Sequence, residues 1–380
     1  MVELTTGDWL LATGLSIASC YMRLALDVRP LLEENSGGVG VYTRALFGEL
    51  KSILGDDLVP VVTGRADISL TDEEAPNLVR VGLPNPILNV ALRLAGRPKL
   101  DLAAHAERYL LPNWSFIALD KGTELTLVVH DLSFERNPFW YPPKQRLWHK
   151  LIRPRHIVGR ADRIVAVSEW TKHDLVELYG VPEEKITVVY PSPDKPAAEL
   201  SFPQDLPEHF ILFLGTVEER KNPLSLVSAF ERVAGKHPDI QLVIAGRHGF
   251  GARAVEDAVR RSVVADRIHL LGYVPVSVRR SLYRQASAFV YPSFYEGFGI
   301  PILDAMRAGL PTIAGNRSSM PEVLGDAGIL IDPGDVSELV TALDEILGNE
   351  SFAKKLGALG LERSKRFPET MVPKLRQLFG

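Results

Sequence analysis

The sequence predicts an α/β protein built from two doubly wound domains. Three observations carry this. Short Val/Ile/Leu-rich runs alternate with longer amphipathic segments, the pattern of parallel strands covered by helices on both faces. The alternation occurs twice, with a proline-rich break between the two series. The length, 380 residues, suits two domains of ordinary size.

In the first series the strand-like runs are 24–28, 58–63, 125–130, 163–168 and 186–190, with helix-like segments at 42–50 and 169–179. The break spans 191–207, where Pro191, Pro193, Pro196, Pro203 and Pro207 suit a semi-rigid linker. The second series has strands at 210–214, 241–245, 268–271, 288–291, 311–314 and 329–331, and helices at 224–233, 251–265, 276–286 and 302–308. The expected domains are therefore 22–194 and 208–366, followed by a short amphipathic helix in 367–380. Residues 1–21 precede the first strand. Their stretch 9–22 is uncharged but too short to span a membrane, and Glu3 and Asp8 stand where a secretory signal would be basic. They read as an extension dispensable to the fold.

Composition excludes several classes. Apolar residues at 46% and charged residues at 24% rule out a disordered or fibrous chain. The net charge of −4 argues against a dedicated nucleic-acid binder. A single cysteine, Cys20, leaves no intrachain disulfide and no cysteine-based metal site, which suits the cytoplasm.

Chemistry concentrates in three loops. Gly37-Gly38-Val39-Gly40 follows the first strand and leads into a helix; Glu296-Gly297-Phe298-Gly299 does the same in the second half. Backbone N–H groups at such turns receive anions. Neither loop completes a dinucleotide fingerprint, because its third glycine would fall on Thr43 or Ile302, and no P-loop motif occurs. A tight turn without a ligand is the plain alternative. The third loop places Arg220 and Lys221 after the first strand of the second half, just before a helix capped by Asn222 with Pro223 in its first turn. A planar fork beside a point charge makes a diphosphate clamp; ordinary solvated charge is its alternative. Glu296 and Asp304 flank the start of one helix, where carboxylates either complement the dipole or accept bonds from ligand hydroxyls. Phosphate at the middle and hydroxyls at both ends describe a nucleotide sugar.

The run from Ser293 to Pro311, Ser-Phe-Tyr-Glu-Gly-Phe-Gly-Ile-Pro-Ile-Leu-Asp-Ala-Met-Arg-Ala-Gly-Leu-Pro, resembles the signature of glycosyltransferase family 4. Gly37–Gly40, Val129-His130-Asp131, Arg220-Lys221-Asn222 and Ser319-Met320-Pro321-Glu322-Val323 support the resemblance, which runs from about Met22 to the C-terminus. It implies a GT-B fold, two Rossmann-like domains facing across a cleft, with the terminal helix crossing back to the first. It implies a retaining transferase using a GDP- or UDP-linked donor, a glycan or lipid-linked acceptor and no obligatory metal or other cofactor. By position, Glu296 would contact donor-sugar hydroxyls and Asp304 the ribose. Arg220 and Lys221 would neutralise the diphosphate. Phe298 and Gly299 would offer backbone N–H groups, Gly38 would admit the first-domain loop to the diphosphate, and His130 would point into the cleft. Asp304 departs from the family's usual Glu and is shorter by one methylene. The run 130–136 resembles mannosyltransferases of polysaccharide assembly, so mannose is the favoured hexose. Glucosyl transfer, a nucleotide-sugar epimerase of similar fold and a non-catalytic nucleotide-sugar or glycan-binding module are the alternatives.

One further stretch stands apart. Residues 140–156 mix Trp140, Tyr141 and Trp148 with basic residues, and 144–160 holds six Lys/Arg and no acid. Three readings are open: contact with an anionic membrane at the cytoplasmic face, binding of an acceptor pyrophosphate, or an amphipathic helix with Leu147, Leu151 and part of Trp148 in the core.

Overall fold

The computed structural model describes residues 22–32, 37–64, 68–82, 85–192 and 206–380. The extension 1–21 and most of the proline-rich break lie outside these. In the first half, strands β1 (Leu24–Asp27), β2 (Leu58–Thr63), β3 (Val79–Val81), β4 (Arg108–Leu111), β5 (Glu124–Val129), β6 (Arg163–Ala166) and β7 (Ile186–Val188) form one sheet. Its order is β3-β2-β1-β4-β5-β6-β7, and every pairing is parallel. The helices are α1 (Gly38–Leu54), α2 (Asn85–Val90), α3 (Leu100–Ala104), α4 (Ser133–Arg136), α5 (Pro143–Ile152), α6 (Pro154–Arg160) and α7 (Glu169–Tyr179).

The second half repeats the plan. Strands β8 (Phe210–Leu214), β9 (Gln241–Ala245), β10 (Ile268–Gly272), β11 (Ala288–Tyr291), β12 (Thr312–Gly315) and β13 (Ile329–Ile331) form a parallel sheet of order β10-β9-β8-β11-β12-β13. Around it lie α8 (Pro223–Val233), α9 (Ala252–Arg261), α10 (Val276–Gln285), α11 (Ile300–Arg307), α12 (Met320–Leu324), α13 (Val336–Gly348), α14 (Glu350–Ser364) and α15 (Val372–Phe379).

Strand periodicity explains why both sheets are buried on both faces. In β1, Leu24 and Leu26 enter one apolar cluster with Leu46 and Val62, while Ala25 enters the opposite cluster with Leu88 and Leu127. The first cluster continues through Leu375 and Phe379 of α15 into the second sheet. α15 itself lies against the first half: Met371 N–H donates to Glu49 (2.8 Å), and the Arg108 and Arg163 guanidinium groups donate to the Phe379 and Leu378 carbonyls (3.2 and 2.7 Å).

Three local expectations are corrected. β3 and β4, which are not among the strands read from the sequence, belong to the first sheet, and β4 lies in its middle, between β1 and β5. Asn222 does not cap α8 with its side chain. It adopts a left-handed backbone (φ 55°); its Nδ2 donates to the Pro333 carbonyl at 2.7 Å and its Oδ1 accepts from Ser225 at 2.7 Å. Finally, α5 turns a different face inward. Leu147 and Leu151 are 57% and 43% exposed, whereas Ile152 is buried and Trp148 packs on the core beneath. Among the described residues, no helix is long and apolar enough to cross a membrane.

Candidate active site

In each sheet the chain begins at a central strand, runs outward, then returns to the other side. The points where this direction reverses lie between β1 and β4 and between β8 and β11. Loops at the carboxyl ends of strands diverge there and leave a crevice. The two crevices open into one cleft of about 1740 Å³. Gly38, His130, Arg220, Lys221, Glu296, Phe298, Gly299 and Asp304 all line it, so the structure brings together every residue singled out from sequence.

The wall from the second half is a connected charge network. Arg220 follows β8 in a short turn that ends at Asn222. Its Nη2 donates to Glu218 at 2.8 Å, its Nη1 stands 3.3 Å from Glu296 Oε1, and Nη1 also donates to the Tyr295 carbonyl. Burial opposes the guanidinium charge, but Glu296, Glu218 and Asp131 outweigh it and raise the Arg220 pKa well above the ordinary value. The Arg220 carbonyl accepts from Phe294 N–H (2.8 Å), which ties this loop to the one after β11.

Glu296 is buried, and its orientation is fixed from one side. Tyr291 Oη and Ser293 Oγ each donate to Oε1 at 3.1 Å, beside the Arg220 contact. Its backbone N–H donates to Ser318 Oγ at 2.8 Å. Among the described residues Oε2 meets no protein donor, so one oxygen is anchored and the other remains available in the cleft. Lys221 Nζ stands 5.6 Å from the Tyr291 ring centre and, among the described residues, within reach of no carboxylate. A cation held this way keeps its valence for a ligand.

α11 begins at Ile300 after Gly299, whose φ of +101° suits glycine. Among the described residues, the N–H groups of Gly297, Phe298, Gly299 and Ile300 donate to no protein acceptor, leaving a row of donors at a helix N-terminus. The Phe298 ring is buried against Tyr190 and Phe367, so Phe298 serves the cleft through its backbone. Asp304 is one turn into α11, near Arg307; burial lowers the Arg307 pKa, while Asp304 and Glu369 act against that shift.

The wall from the first half carries Gly38 and His130. Gly38 opens α1 with Gly37 before it, and a side chain on either would meet nothing within 4 Å. His130 follows β5; its Nε2–H donates to the Pro112 carbonyl at 2.8 Å, and its ring meets Tyr42 edge-on at 4.8 Å. The carbonyl contact assigns the proton to Nε2 and leaves Nδ1 as an acceptor. Burial lowers the His130 pKa despite opposing pulls from Pro112 and Asp131, so the fold favours the neutral ring.

The walls meet at Gly297. A Cβ there would stand 1.9 Å from the His130 carbonyl oxygen, so only glycine permits this approach. The Gly297 carbonyl accepts from Ser168 Oγ (2.5 Å) and Thr171 Oγ1 (3.2 Å). Nearby, Glu322 accepts from the first two N–H groups of α7, at 3.0 and 3.1 Å, and Tyr295 Oη donates to the buried Asp174. Sequence reasoning missed Tyr291, Ser293, Glu218 and Asp131. The first two lie within or beside the glycine-loop run; their contacts to Glu296 depend on how that turn folds. The trio His173, Asp174 and Glu177 brings potential metal ligands together outside this cleft, but its two carboxylates already bind Arg136.

Comparison with known proteins agrees with this architecture. Residues 36–195 match the family model "Glycosyltransferase Family 4" and residues 196–363 match "Glycosyl transferases group 1". O-antigen chain mannosyltransferase B of Escherichia coli is 30% identical over 363 residues, covering 87% of this chain and 92% of that one. Among solved structures, sucrose-phosphate synthase from Thermosynechococcus elongatus superposes with a TM-score of 0.69 at 20% identity, covering 94% of this chain and 98% of the other. Anabaena HepE in complex with UDP-glucose gives 0.68 at 16% identity, covering 94% and 99%. These structural likenesses carry the fold; the sequence match over nearly the whole chain carries the family. The chain belongs to glycosyltransferase family 4 and is a glycosyltransferase of the GT-B fold.

Proposed function

We propose that the cleft binds a nucleotide-sugar donor and transfers its hexose, with retained anomeric configuration, to a glycan or lipid-linked acceptor. The observation that carries this is the Arg220–Glu296 network with Lys221 beside it, facing the unused N–H groups before α11. In this reading Arg220, Lys221 and those N–H groups receive the diphosphate, Glu296 Oε2 receives sugar hydroxyls, and Asp304 receives the ribose. The sugar C1–phosphate bond breaks and its electron pair leaves on the diphosphate. The acceptor oxygen bonds C1 from the same face, and its proton passes to the departing phosphate oxygen. The transition state resembles an oxocarbenium ion, so the cationic wall stabilises the growing negative charge. The positive field comes from protein groups, and no metal is invoked. Asp131, next to His130 in the chain, has Oδ1 engaged by Ser133 N–H (3.0 Å) and Oγ (2.5 Å).

Mannose is the proposed hexose because the E. coli relative is named a mannosyltransferase and the match spans 92% of it. The test is a donor panel of GDP-mannose, UDP-glucose and ADP-glucose, reading free nucleotide and, with an acceptor, the product's anomeric proton by NMR. Fastest release from GDP-mannose and an α-linked product are expected. Release from UDP-glucose alone would move the hexose to glucose. An inverted product would remove the retaining mechanism, and no release from any donor would favour a binding module.

A further inference from the structure

The segment Ser319-Met320-Pro321-Glu322-Val323 acts on the cleft from beneath it. β12 ends at Gly315, where a Cβ would run into the Ser293 carbonyl oxygen, so the turn that follows passes directly under the loop 293–299. Ser318 occupies the left-handed region (φ 54°) without being glycine, a conformation held only by its surroundings. From there its Oγ accepts the Glu296 N–H at 2.8 Å. Ser319 is fully buried, and its Oγ stands 2.9 Å from both the Glu296 and the Phe298 carbonyl oxygens. A hydroxyl has one proton, so the two carbonyls share it in a three-centre bond.

A carbonyl and the N–H that follows it share one trans peptide plane and point in opposite directions. The Glu296 and Phe298 carbonyls converge on Ser319, so the N–H groups of Gly297 and Gly299 turn away from it. Both glycines line the cleft, whereas Ser319 lies behind them. The intervening Gly297 carbonyl is held separately, by Ser168 Oγ of the first half at 2.5 Å. Each peptide from 296 to 299 is thus pinned through its carbonyl. Among the described residues, its N–H donates to no protein acceptor.

We infer that Ser319 is a positioning residue for the transfer: its hydroxyl aims the Gly297 and Gly299 N–H groups at the donor diphosphate. Two N–H groups on alternate residues, turned the same way, make a concavity for an anion, and one hydroxyl behind them sets both. Donors fixed in this way stabilise charge on the leaving phosphate without reorganising. Without the hydroxyl both carbonyls lose their donor, and the two peptide planes are free to rotate. The inference rests on the reading of the cleft as a nucleotide-sugar site.

The test is NMR of the full chain carrying nitrogen-15 glycine, titrated with GDP and UDP and with guanosine and uridine. In wild type the Gly297 and Gly299 amide protons are expected to move downfield with the bound diphosphate and to stay in place with its nucleoside. Ser319→Ala is expected to bind that diphosphate about tenfold more weakly, to bind the nucleoside as wild type does, and to lose the downfield shifts. Ser319→Cys, which fills the same space with a weaker donor, is expected to lie between the two. The thermal midpoint of Ser319→Ala falls in any case, since two buried carbonyls lose their donor, so the midpoint is not the readout. Three results overturn the inference alone: wild type binds the diphosphate without shifts at Gly297 and Gly299, Ser319→Ala binds it as tightly as wild type, or the variant loses diphosphate and nucleoside affinity by the same factor. The last would reduce Ser319 to a structural role. Failure of wild type to bind either diphosphate would overturn the reading of the cleft, and the inference with it.

Discussion

On the cleft wall from the second half, Arg220, Glu218, Glu296, Tyr291 and Ser293 hold one another within 3.3 Å. On the facing wall, Gly37, Gly38 and His130 line the cleft together with charged side chains such as Arg44, Lys51, Glu74 and Asp131. The difference is one of preorganisation. Charge fixed in advance at a partly dry site stabilises developing charge without reorganising, which suits the wall proposed to hold a leaving diphosphate. Gly297 makes the two walls interdependent, since it lets the second-half loop approach the His130 carbonyl more closely than any side chain would allow.

The strongest break of this contrast is Arg220→Ala. Turnover is expected to fall about 100- to 1000-fold, the usual cost of losing a preorganised charge donor; near-normal kcat would remove the clamp. Arg220→Lys keeps a charge but loses the fork, and separates geometry from sign. Next is Gly297→Ala, which puts a methyl into the His130 carbonyl. The seam must shift, and a displacement of about 1 Å at a reacting centre costs roughly 100-fold in kcat/KM. Unchanged kinetics in this variant would show that the walls work without touching.

A smaller effect is expected from Asp304→Ala. Loss of hydrogen bonds to a charged group worth about 1.5–3 kcal/mol raises the donor KM tenfold or more, with little change in thermal midpoint. A donor KM at the wild-type value would take Asp304 out of the site. The smallest effect concerns pH. Because burial depresses the His130 pKa, the fold favours the neutral ring. The unfolded chain therefore binds the proton more readily, and stability declines as pH falls below about 6.5. Denaturation curves at pH 7.5 and 5.5 should show a smaller loss for His130→Gln than for wild type; equal losses would mean the ring titrates normally.

Much of this was legible because the signal was local. Continuous apolar runs marked β1 and β8, and the glycine loop from Ser293 marked the start of α11 almost to the residue. What failed was decided by tertiary contact. On α5, Leu147 with Leu151 and Trp148 with Ile152 form apolar pairs of the same spacing, one residue out of phase. Periodicity cannot choose between them; the neighbouring core took the second pair and left the first in solvent. β4 is central because β1 and β5 lie on either side of it, a relation absent from its own four residues. Glycine at 297 reads as turn chemistry, yet it is required by a carbonyl 167 positions earlier in the chain. The residues of the site were visible one by one, whereas the contacts between its walls appeared only once they were assembled.

The most direct test of the wall proposed to hold the diphosphate uses Lys221, which can be removed without orphaning a buried partner. Calorimetric titration of GDP and UDP into wild type and Lys221→Ala reads the diphosphate contact alone. The account predicts affinity for the preferred nucleoside diphosphate about tenfold or more weaker in the variant, with the thermal midpoint unchanged and affinity for the matching nucleoside unaltered. Equal affinity for the diphosphate in both proteins would contradict it.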